Sequence, residues 1–418
     1  MFQDIKPPKR SDSKSVSHKS LANLGGHAIN KARQQIHEIP NEVIEAIDLD
    51  EKAEKNEKVR FRRLKGWWRH IGENRRFAIV SAALLIFITG AIVYFYFTRP
   101  SSQTSIAITK HAKKPPAPTT LASPLTGVQV APELASRPVT GIMIENSLDA
   151  RPQSGIEQAG VIFEAIAEGG ITRFLTLYQD AQPQYIGPVR SLRPYYIDWA
   201  TPFDASIAHV GGSPEALAQI RSGGKDLDQF FNSGSYWRQS TRAAPHNVYT
   251  SFERMDALNK IKGYTSSHFT SWPRKADKPI AVPTAKSIDV NIASFYFNSH
   301  YDYDASTNSY FRFEGGAPHK TITSSSDANA QQLHPKVLIA LVMPYSIEAD
   351  GQHSAYSTYG NGVAYVFEDG GVTQGLWTKA NRADQFKFTD ASGAPVKLNA
   401  GQTWVVPVAR ADMVVYRP

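Results

Sequence analysis

The sequence predicts a mixed α/β N-terminal domain and a mostly antiparallel β C-terminal domain, tethered to a single transmembrane helix. Three observations support this fold class. Residues 77–97 carry no charged side chain, residues 137–280 combine strand-like runs with a clear helix start, and residues 287–416 consist of short β-rich runs between turn residues. A chain of 418 residues is long enough for two or three such domains.

The membrane helix is predicted from residues 77–97, an uncharged run of 21 residues. A helix of this length spans the ~30 Å hydrocarbon core of a bilayer. Eight basic side chains precede it within residues 57–76, and four follow it within residues 98–117. This excess predicts a single-pass protein of the cell membrane with its N-terminus in the cytoplasm and its C-terminal domains outside.

The positive charge of the chain is concentrated before the outer domains. Residues 1–137 contain 22 basic and 12 acidic side chains, whereas residues 138–418 contain 24 and 26. No nucleic-acid ligand is therefore expected for the outer part. Residues 1–76 are expected to form a basic, partly disordered cytoplasmic arm, with an amphipathic helix within 41–65. The expected role of this arm is to set topology and bind anionic lipid head groups, or else to bind a cytoplasmic partner or nucleic acid.

Residues 98–136 are rich in Ser, Thr, Pro and Ala without apolar periodicity, which predicts an extended linker. The chain contains no cysteine, which excludes disulfides, thiolate metal sites, a cysteine nucleophile and lipid attachment through cysteine. The outer domains must therefore be stabilised by their cores alone.

The predicted α/β domain begins with three β-rich runs, at 137–146, 159–170 and 171–180. The last two form either two buried strands or a short helix and a strand, separated by a glycine pair. A further strand ends before Ser213, where SPEALAQIR starts a helix with Ser213 at the N-cap and Pro214 in the first turn.

Two sets of motifs carry a family resemblance. The N-terminal half contains GPVRSLRPYYID, HVGGSPEA and APHNVYTS, and the C-terminal half contains YFRFEGGAPHK and LNAGQTWVVPV. Over about 137–416 they resemble the YerB-like proteins, a bacterial family of unknown function. The resemblance implies an extracytoplasmic, membrane-attached protein, often a lipoprotein, although here a transmembrane helix replaces the lipid-bearing cysteine. Glu145-Asn146 stands where the family usually has Asp before Asn, which disfavours a role that needs the shorter carboxylate.

A polar cluster follows the first predicted strand. Glu145, Asn146, Asp149 and Arg151 lie at a strand end, where α/β domains often bind ligands. The alternative is a turn stabilised by an arginine–carboxylate pair.

Arg190 and Arg193 lie three residues apart among aromatic side chains. If residues 188–200 are helical, the two guanidiniums share one face and repel each other. They then hold an anion, together with Arg173, or they pair with carboxylates. Available carboxylates are Glu164, Glu168 and Asp204.

His209 precedes Gly211, Gly212 and Ser213 in HVGGSPEA. The glycines permit close backbone approach, and the helix N-terminus offers free amide protons to a phosphate, a carboxylate or an oxyanion. The alternative is an ordinary strand–turn–helix connection.

His246 and Asn247 follow a proline in TRAAPHNVYTS. Such a histidine can act as a general base or donate a hydrogen bond to a sugar or phosphate. The alternative is that it has only a structural role in its loop. The histidines show no HxxH or HExxH spacing, so neither a metal site nor a cofactor is expected.

Two functions are compatible with these residues. The first is a membrane-anchored envelope protein that binds an anionic ligand, such as a peptidoglycan or wall-polymer group, through the arginines and the helix start at Ser213. The alternative is an envelope hydrolase or transferase, with His209 or His246 as the base. Glu145 or Asp149 is then the acid or the orienting group, and Ser213 is the candidate nucleophile.

Overall fold

The computed structural model describes residues 75–98, 119–325 and 330–418. The chain divides into two units, Met1–Ala112 and Lys113–Pro418. Each unit is described by itself.

In the first unit, the described residues form one helix, α1 (Arg75–Thr98), which contains the predicted span 77–97. Within it, Ile79–Thr98 has a mean hydropathy of 2.2 and is long and apolar enough to cross a membrane, by length and composition alone. The predictions for residues 1–74, including the helix within 41–65, lie outside the described residues.

The second unit is built around a ten-stranded sheet. In spatial order its strands are β23 (Lys387–Asp390), β22 (Gly371–Lys379), β21 (Gly360–Glu368), β18 (Val337–Val342), β25 (Thr403–Val408), β5 (Val161–Glu168), β6 (Ile171–Tyr178), β3 (Thr140–Glu145), β7 (Ser206–His209) and β8 (Lys225–Asp228). The first five come from the C-terminal half of the unit and the last five from the N-terminal half. The halves meet where β25 runs parallel to β5, with Val405 opposite Phe163.

Smaller sheets complete the unit. A five-stranded sheet contains β15 (Ala317–Pro318), β14 (Ser309–Glu314), β13 (Ser299–Asp304), β12 (Ser287–Val290) and β26 (Val414–Arg417). A three-stranded sheet contains β17 (Gln331–Gln332), β16 (Lys320–Ile322) and β4 (Gln153–Ser154). The paired strands are β1 (Leu121–Ala122) with β2 (Gln129–Val130), β9 (Trp237–Arg238) with β10 (Val248–Tyr249), β11 (Arg274–Lys275) with β24 (Leu398–Asn399), and β19 (Tyr345–Ile347) with β20 (Ser354–Tyr356).

The α-helices described in this unit are α2 (Pro132–Ala135), α3 (Pro194–Ala200), α4 (Pro214–Arg221) and α5 (Phe252–Lys262). All of them lie in the N-terminal half. The described unit is therefore mostly β with some helices, in agreement with the predicted mixture of an α/β half followed by a β half.

Both faces of the ten-stranded sheet are covered by apolar side chains. Along β5, Val161 and Phe163 pack in one apolar cluster and Ile162 and Ile166 in the other, because successive side chains of a strand point to opposite faces. Burial on both faces explains why this strand reads as a continuous apolar run. Glu164 shares the face of Ile162 and is fully buried, so its charge needs partners inside the protein.

Two predictions about local structure are confirmed. The runs at 159–170 and 171–180 form the antiparallel strands β5 and β6, so the two-strand alternative is correct. Helix α4 begins as predicted, since Oγ of Ser213 accepts the backbone N–H of Ala216 at 3.3 Å. Its first residue is Pro214.

The condition that residues 188–200 are helical is met only in the second half of this segment, because α3 begins at Pro194. Arg193 has φ −130° and ψ 155°, an extended conformation that a following proline favours. Arg190 lies further upstream and donates its backbone N–H to the carbonyl of Met143 at 2.9 Å. The two arginines therefore do not share a helix face.

The linker predicted over 98–136 is wrong for its last part. Residues 119–136 contain the hairpin β1–β2 and helix α2. Leu125 is only 1% exposed, and its backbone N–H donates to Oε1 of Gln179 at 3.1 Å. The buried apolar residues Leu125 and Ala135 lie ten positions apart in a Ser/Thr/Pro-rich segment and give no periodic pattern, which explains the error. Residues 99–118 lie outside the described residues.

Candidate functional site

Arg173 and Arg193 pair with the same carboxylate. Nη2 of Arg173 lies 2.9 Å from Oε2 of Glu168, and Nη2 of Arg193 contacts Oε1. Arg173 also donates to the carbonyl of Ser191 at 2.9 Å, and Arg193 donates to that of Leu192 at 2.6 Å. Burial lowers the pKa of Arg193 from its ordinary value. Both guanidiniums are thus engaged by neighbouring acceptors.

His209 lies at the buried end of β7. Its Nδ1 is 2.8 Å from the carbonyl oxygen of Gly211, and its Nε2 is 3.0 Å from Oδ1 of Asp226. Both partners are acceptors, so a proton on either ring nitrogen has an acceptor inside the protein. Gly211 in turn donates its backbone N–H to Asp228 at 3.1 Å. The contacts of His209 therefore link β7 to β8.

Gly212 and Ser213 serve the connection into α4. A Cβ at Gly212 would lie 3.0 Å from the carbonyl oxygen of Leu192, so only glycine permits this approach without a shift. The hydroxyl of Ser213 is used as the helix cap. The structure does not bring Ser213 together with His209 or His246, and the contacts it shows here are those of the strand–turn–helix alternative.

The polar cluster after β3 is brought together with His246. Oε1 of Glu145 lies 3.3 Å from Nε of Arg190 and accepts the hydroxyl of Ser147 at 3.0 Å. Oε2 of Glu145 lies 3.0 Å from Nδ1 of His246, and Nε2 of His246 lies 3.9 Å from Oδ2 of Asp149. Oε2 of Glu145 and Nε of Arg190 are buried and make no well-aligned hydrogen bond to the described residues.

A cavity of about 690 Å³ opens beside His246 and is called cavity A. Its polar lining consists of Asp149, Arg151, Tyr185, Thr241, Arg242, His246 and Ser325. Arg242 donates to the carbonyl of Asp149 at 3.0 Å and to that of Pro152 at 2.6 Å. Sequence reasoning missed Arg242 and Ser147, because an isolated arginine or serine in a loop carries no pattern of its own.

Arg151 forms one wall of cavity A. It donates through Nε to Oδ1 of Asn146 at 3.1 Å and through Nη2 to the carbonyl of the same residue at 3.2 Å. Nη2 also lies 3.3 Å from Oε1 of Glu314, and the guanidinium stacks 5.1 Å from the centre of the Phe297 ring. Burial lowers the pKa of Arg151, against the opposing effect of Glu314.

Behind Arg151 lies a buried network around Arg312, which sequence reasoning also missed. Nη2 of Arg312 is 2.9 Å from Oε2 of Glu164, and its Nε donates to Nδ1 of His319 at 2.8 Å. Nε2 of His319 then carries the proton and donates to Oε1 of Gln153 at 2.9 Å. Burial, together with the charge of Arg312, holds the pKa of His319 well below its usual range.

Other polar groups lie apart from the lining of cavity A. Asn247 is 9% exposed, and its Oδ1 accepts from Arg238 at 2.9 Å. Between β19 and β20, Glu348, Asp350 and His353 bring side-chain ligand atoms within 4.8 Å of one another. Asp350 accepts backbone N–H groups within its own turn, a common role for an exposed aspartate.

Comparisons with known proteins agree with one another. Residues 125–265 match the family described as "Protein of unknown function (DUF3048) N-terminal domain", and residues 288–405 match its C-terminal domain. The chain is 31% identical over 331 residues to "Putative lipoprotein YerB" of Bacillus subtilis, across 77% of this chain and 95% of that protein. It is similar to the crystal structure of the YerB protein from Bacillus subtilis, with a TM-score of 0.63 and 25% identity over 71% of this chain and 100% of that one.

Proposed function

This chain belongs to the YerB-like family with paired DUF3048 domains, and we propose that it is an envelope protein held at the membrane by helix α1. The lipoprotein relative indicates an extracytoplasmic, envelope-associated protein. This sequence contains no cysteine that could carry a lipid, whereas Ile79–Thr98 has the length and hydropathy of a membrane span. Helix α1 then takes the place of the lipid anchor, with the N-terminus in the cytoplasm.

The proposed ligand is an anionic group of the envelope, such as the phosphate or carboxylate of a wall polymer or of peptidoglycan, and it binds in cavity A. The observation that carries this proposal is the environment of Arg242. Two backbone carbonyls, those of Asp149 and Pro152, orient its guanidinium without neutralising its charge. No carboxylate among the described residues forms an ion pair with Arg242. An anionic ligand supplies the missing partner with charge-assisted hydrogen bonds.

Arg151 extends the same positive surface. The hydrogen bonds of Arg151 to described residues use Nε and Nη2, so the two N–H groups of Nη1 remain for a ligand. Arg190 and Arg193 are not part of the proposal, because each already lies within ion-pair distance of a carboxylate. Arg190 pairs with Glu145, and Arg193 shares Glu168 with Arg173.

The proposal is tested with the detergent-solubilised full chain and inorganic phosphate as the probe, by titration calorimetry. We expect Arg242→Gln to weaken phosphate binding about tenfold or more, because a charged hydrogen-bonding group is worth roughly 1.5–3 kcal/mol. Arg410→Gln is the matched control, since Arg410 is 65% exposed and pairs with Asp412. Equal phosphate affinity for both variants, or no measurable binding by the native chain, contradicts the proposal.

A further inference from the structure

The contacts of His246 favour one of the two tautomers of its ring. Ser147 donates its hydroxyl to Oε1 of Glu145 at 3.0 Å, so its oxygen remains to accept. Nδ1 of His246 lies 3.3 Å from that oxygen and 3.0 Å from Oε2 of Glu145. Oε2 of Glu145 can only accept, and although this contact is not a well-aligned hydrogen bond, the carboxylate beside Nδ1 favours the tautomer that is protonated there. In the neutral imidazole, the lone pair is then on Nε2.

Nε2 is the nitrogen turned away from Glu145 and toward cavity A. The side chain of His246 is 20% exposed and lines the cavity. Oδ2 of Asp149 lies 3.9 Å from Nε2, which is beyond hydrogen-bond distance. Arg190, 3.3 Å from Glu145, offsets part of the negative charge behind the ring. A water molecule can therefore occupy the space in front of the Nε2 lone pair.

Three other histidines show the contrast. His209 and His319 are buried, and both ring nitrogens of each have hydrogen-bond partners inside the protein. His300 holds a carboxylate at each nitrogen, at 2.7 and 3.0 Å. His246 differs from all three, because one of its nitrogens is held while the other faces an open cavity.

From this geometry we infer that cavity A is a hydrolytic site in which Nε2 of His246 is the general base for a water molecule. The inference rests on the proposed function, because Arg242 holds the anionic group of the substrate beside that base, while Arg151 lines the same cavity. The substrate class is a carboxylic ester that carries a second, anionic group. Glu145 and Ser147 are positioning residues that keep the proton on Nδ1.

In the reaction, Nε2 takes one proton from water while the water oxygen forms a bond to the ester carbonyl carbon. The carbonyl π electrons move to the carbonyl oxygen, whose negative charge a guanidinium of the cavity stabilises. When the intermediate collapses, the bond to the alcohol oxygen breaks, and this oxygen receives the proton from Nε2. Water and ester become a carboxylic acid and an alcohol, and His246 returns to its neutral form.

The test uses the detergent-solubilised full chain with mono-4-nitrophenyl terephthalate, whose free carboxylate cannot reach its own ester, and with neutral 4-nitrophenyl benzoate for comparison. We expect the native chain to prefer the anionic ester. His246→Gln should lower kcat on the order of 100-fold, with KM nearly unchanged. Glu145→Gln should also lower kcat rather than raise KM, whereas Arg242→Gln should mainly raise KM. The control is His268→Gln at an exposed histidine.

Circular dichroism checks that each variant is folded. If His246→Gln does not fold, Glu145→Gln is used in its place. Equal kcat for the native chain and the folded base variant overturns the inference. A 4-nitrophenol burst that Ser147→Ala abolishes also overturns it, because the nucleophile is then Ser147. Phosphate binding without ester turnover refutes hydrolysis and leaves the anion site intact. Turnover that depends on His246 in a chain that binds no phosphate supports the base and contradicts the proposed ligand class.

Discussion

Glu314 is a fully buried carboxyl group whose surroundings favour the protonated form. It shares the guanidinium of Arg312 with Glu164, at 3.4 and 2.9 Å respectively. The single charge of Arg312 cannot offset two carboxylates. Arg151 lies 3.3 Å from Glu314, and its positive charge lowers the pKa of Glu314 without cancelling the effect of burial. Burial is the largest cause that raises the pKa of Glu314 to about 7, and the charge of Glu164 adds to it.

This pKa predicts a pH-dependent component of stability. A folded-state pKa raised from 4.5 to about 7 gives a contribution that is present below pH 4.5 and lost as the pH rises through 7. Glu314→Gln keeps an oxygen for the bond from Asn146 but cannot ionise. We expect the melting temperature of this variant to rise relative to the native chain between about pH 5 and pH 8, by the equivalent of up to a few kcal/mol.

The matched control for this comparison is Asp412→Asn, because the side chain of Asp412 is 70% exposed. Its melting curve should follow that of the native chain at every pH. If Glu314→Gln also runs parallel to the native chain, the carboxyl group of Glu314 is already ionised across this range, and the raised pKa is wrong.

At the scale of single elements, α4 shows how local chemistry places a helix. Ser213 provides the N-cap, Pro214 the first helical residue, Glu215 an acidic first turn and Arg221 a basic last turn. Each of these choices complements the unpaired amides or the dipole of the helix, so none depends on distant residues.

The cap assigns Ser213 a structural role, which can be separated from a chemical one. We expect Ser213→Ala to cost about 1 kcal/mol and lower the melting temperature by about 2–4 °C, because an N–H of the first turn loses its acceptor. Ser213→Asp, which still caps, should restore most of the loss. Phosphate affinity should be the same in all three proteins. If Ser213→Ala loses phosphate binding or ester turnover but keeps its melting temperature, the purely structural role of Ser213 is contradicted.

At the scale of the whole molecule, the two matched halves share one sheet and one set of buried charges. Glu164 comes from the N-terminal half, while Arg312 and Trp404, which bind its carboxylate, come from the C-terminal half. Removing either half would leave a buried charge without partners, at a cost of several kcal/mol. The folded unit is thus stabilised across the boundary between the halves.

The proposed topology of the full chain can be tested because the sequence contains no cysteine, so single cysteines label without background. In intact cells, a membrane-impermeant maleimide should label Ser392→Cys, at an exposed turn, and should not label Ser20→Cys in the arm. The positive charge before α1 is the physical reason for this orientation. Labelling of Ser20→Cys in intact cells, or of neither cysteine until the cells are opened, contradicts the topology.

The sequence by itself determined those features that depend on a few neighbouring residues. An uncharged run of sufficient length specified helix α1, apolar runs bounded by glycines specified β5 and β6, and cap chemistry specified α4. The family resemblance was likewise contained in short motifs, and the matches at 125–265 and 288–405 agree with it. Local propensity and side-chain pattern act within one or two turns, so these elements can be predicted from the sequence without knowledge of the tertiary structure.

Only the tertiary structure decided which charged groups meet. Arg193 pairs with Glu168, and Arg190 pairs with Glu145. His246 contacts Ser147, which is 99 residues away in the sequence. Each partner is set by strand order and by the loops that this order brings to one end of the sheet, neither of which is encoded in residue spacing. Arg190 and Arg193 therefore each have a carboxylate partner, while the partners of Arg242 are backbone carbonyls that orient its guanidinium but do not neutralise its charge.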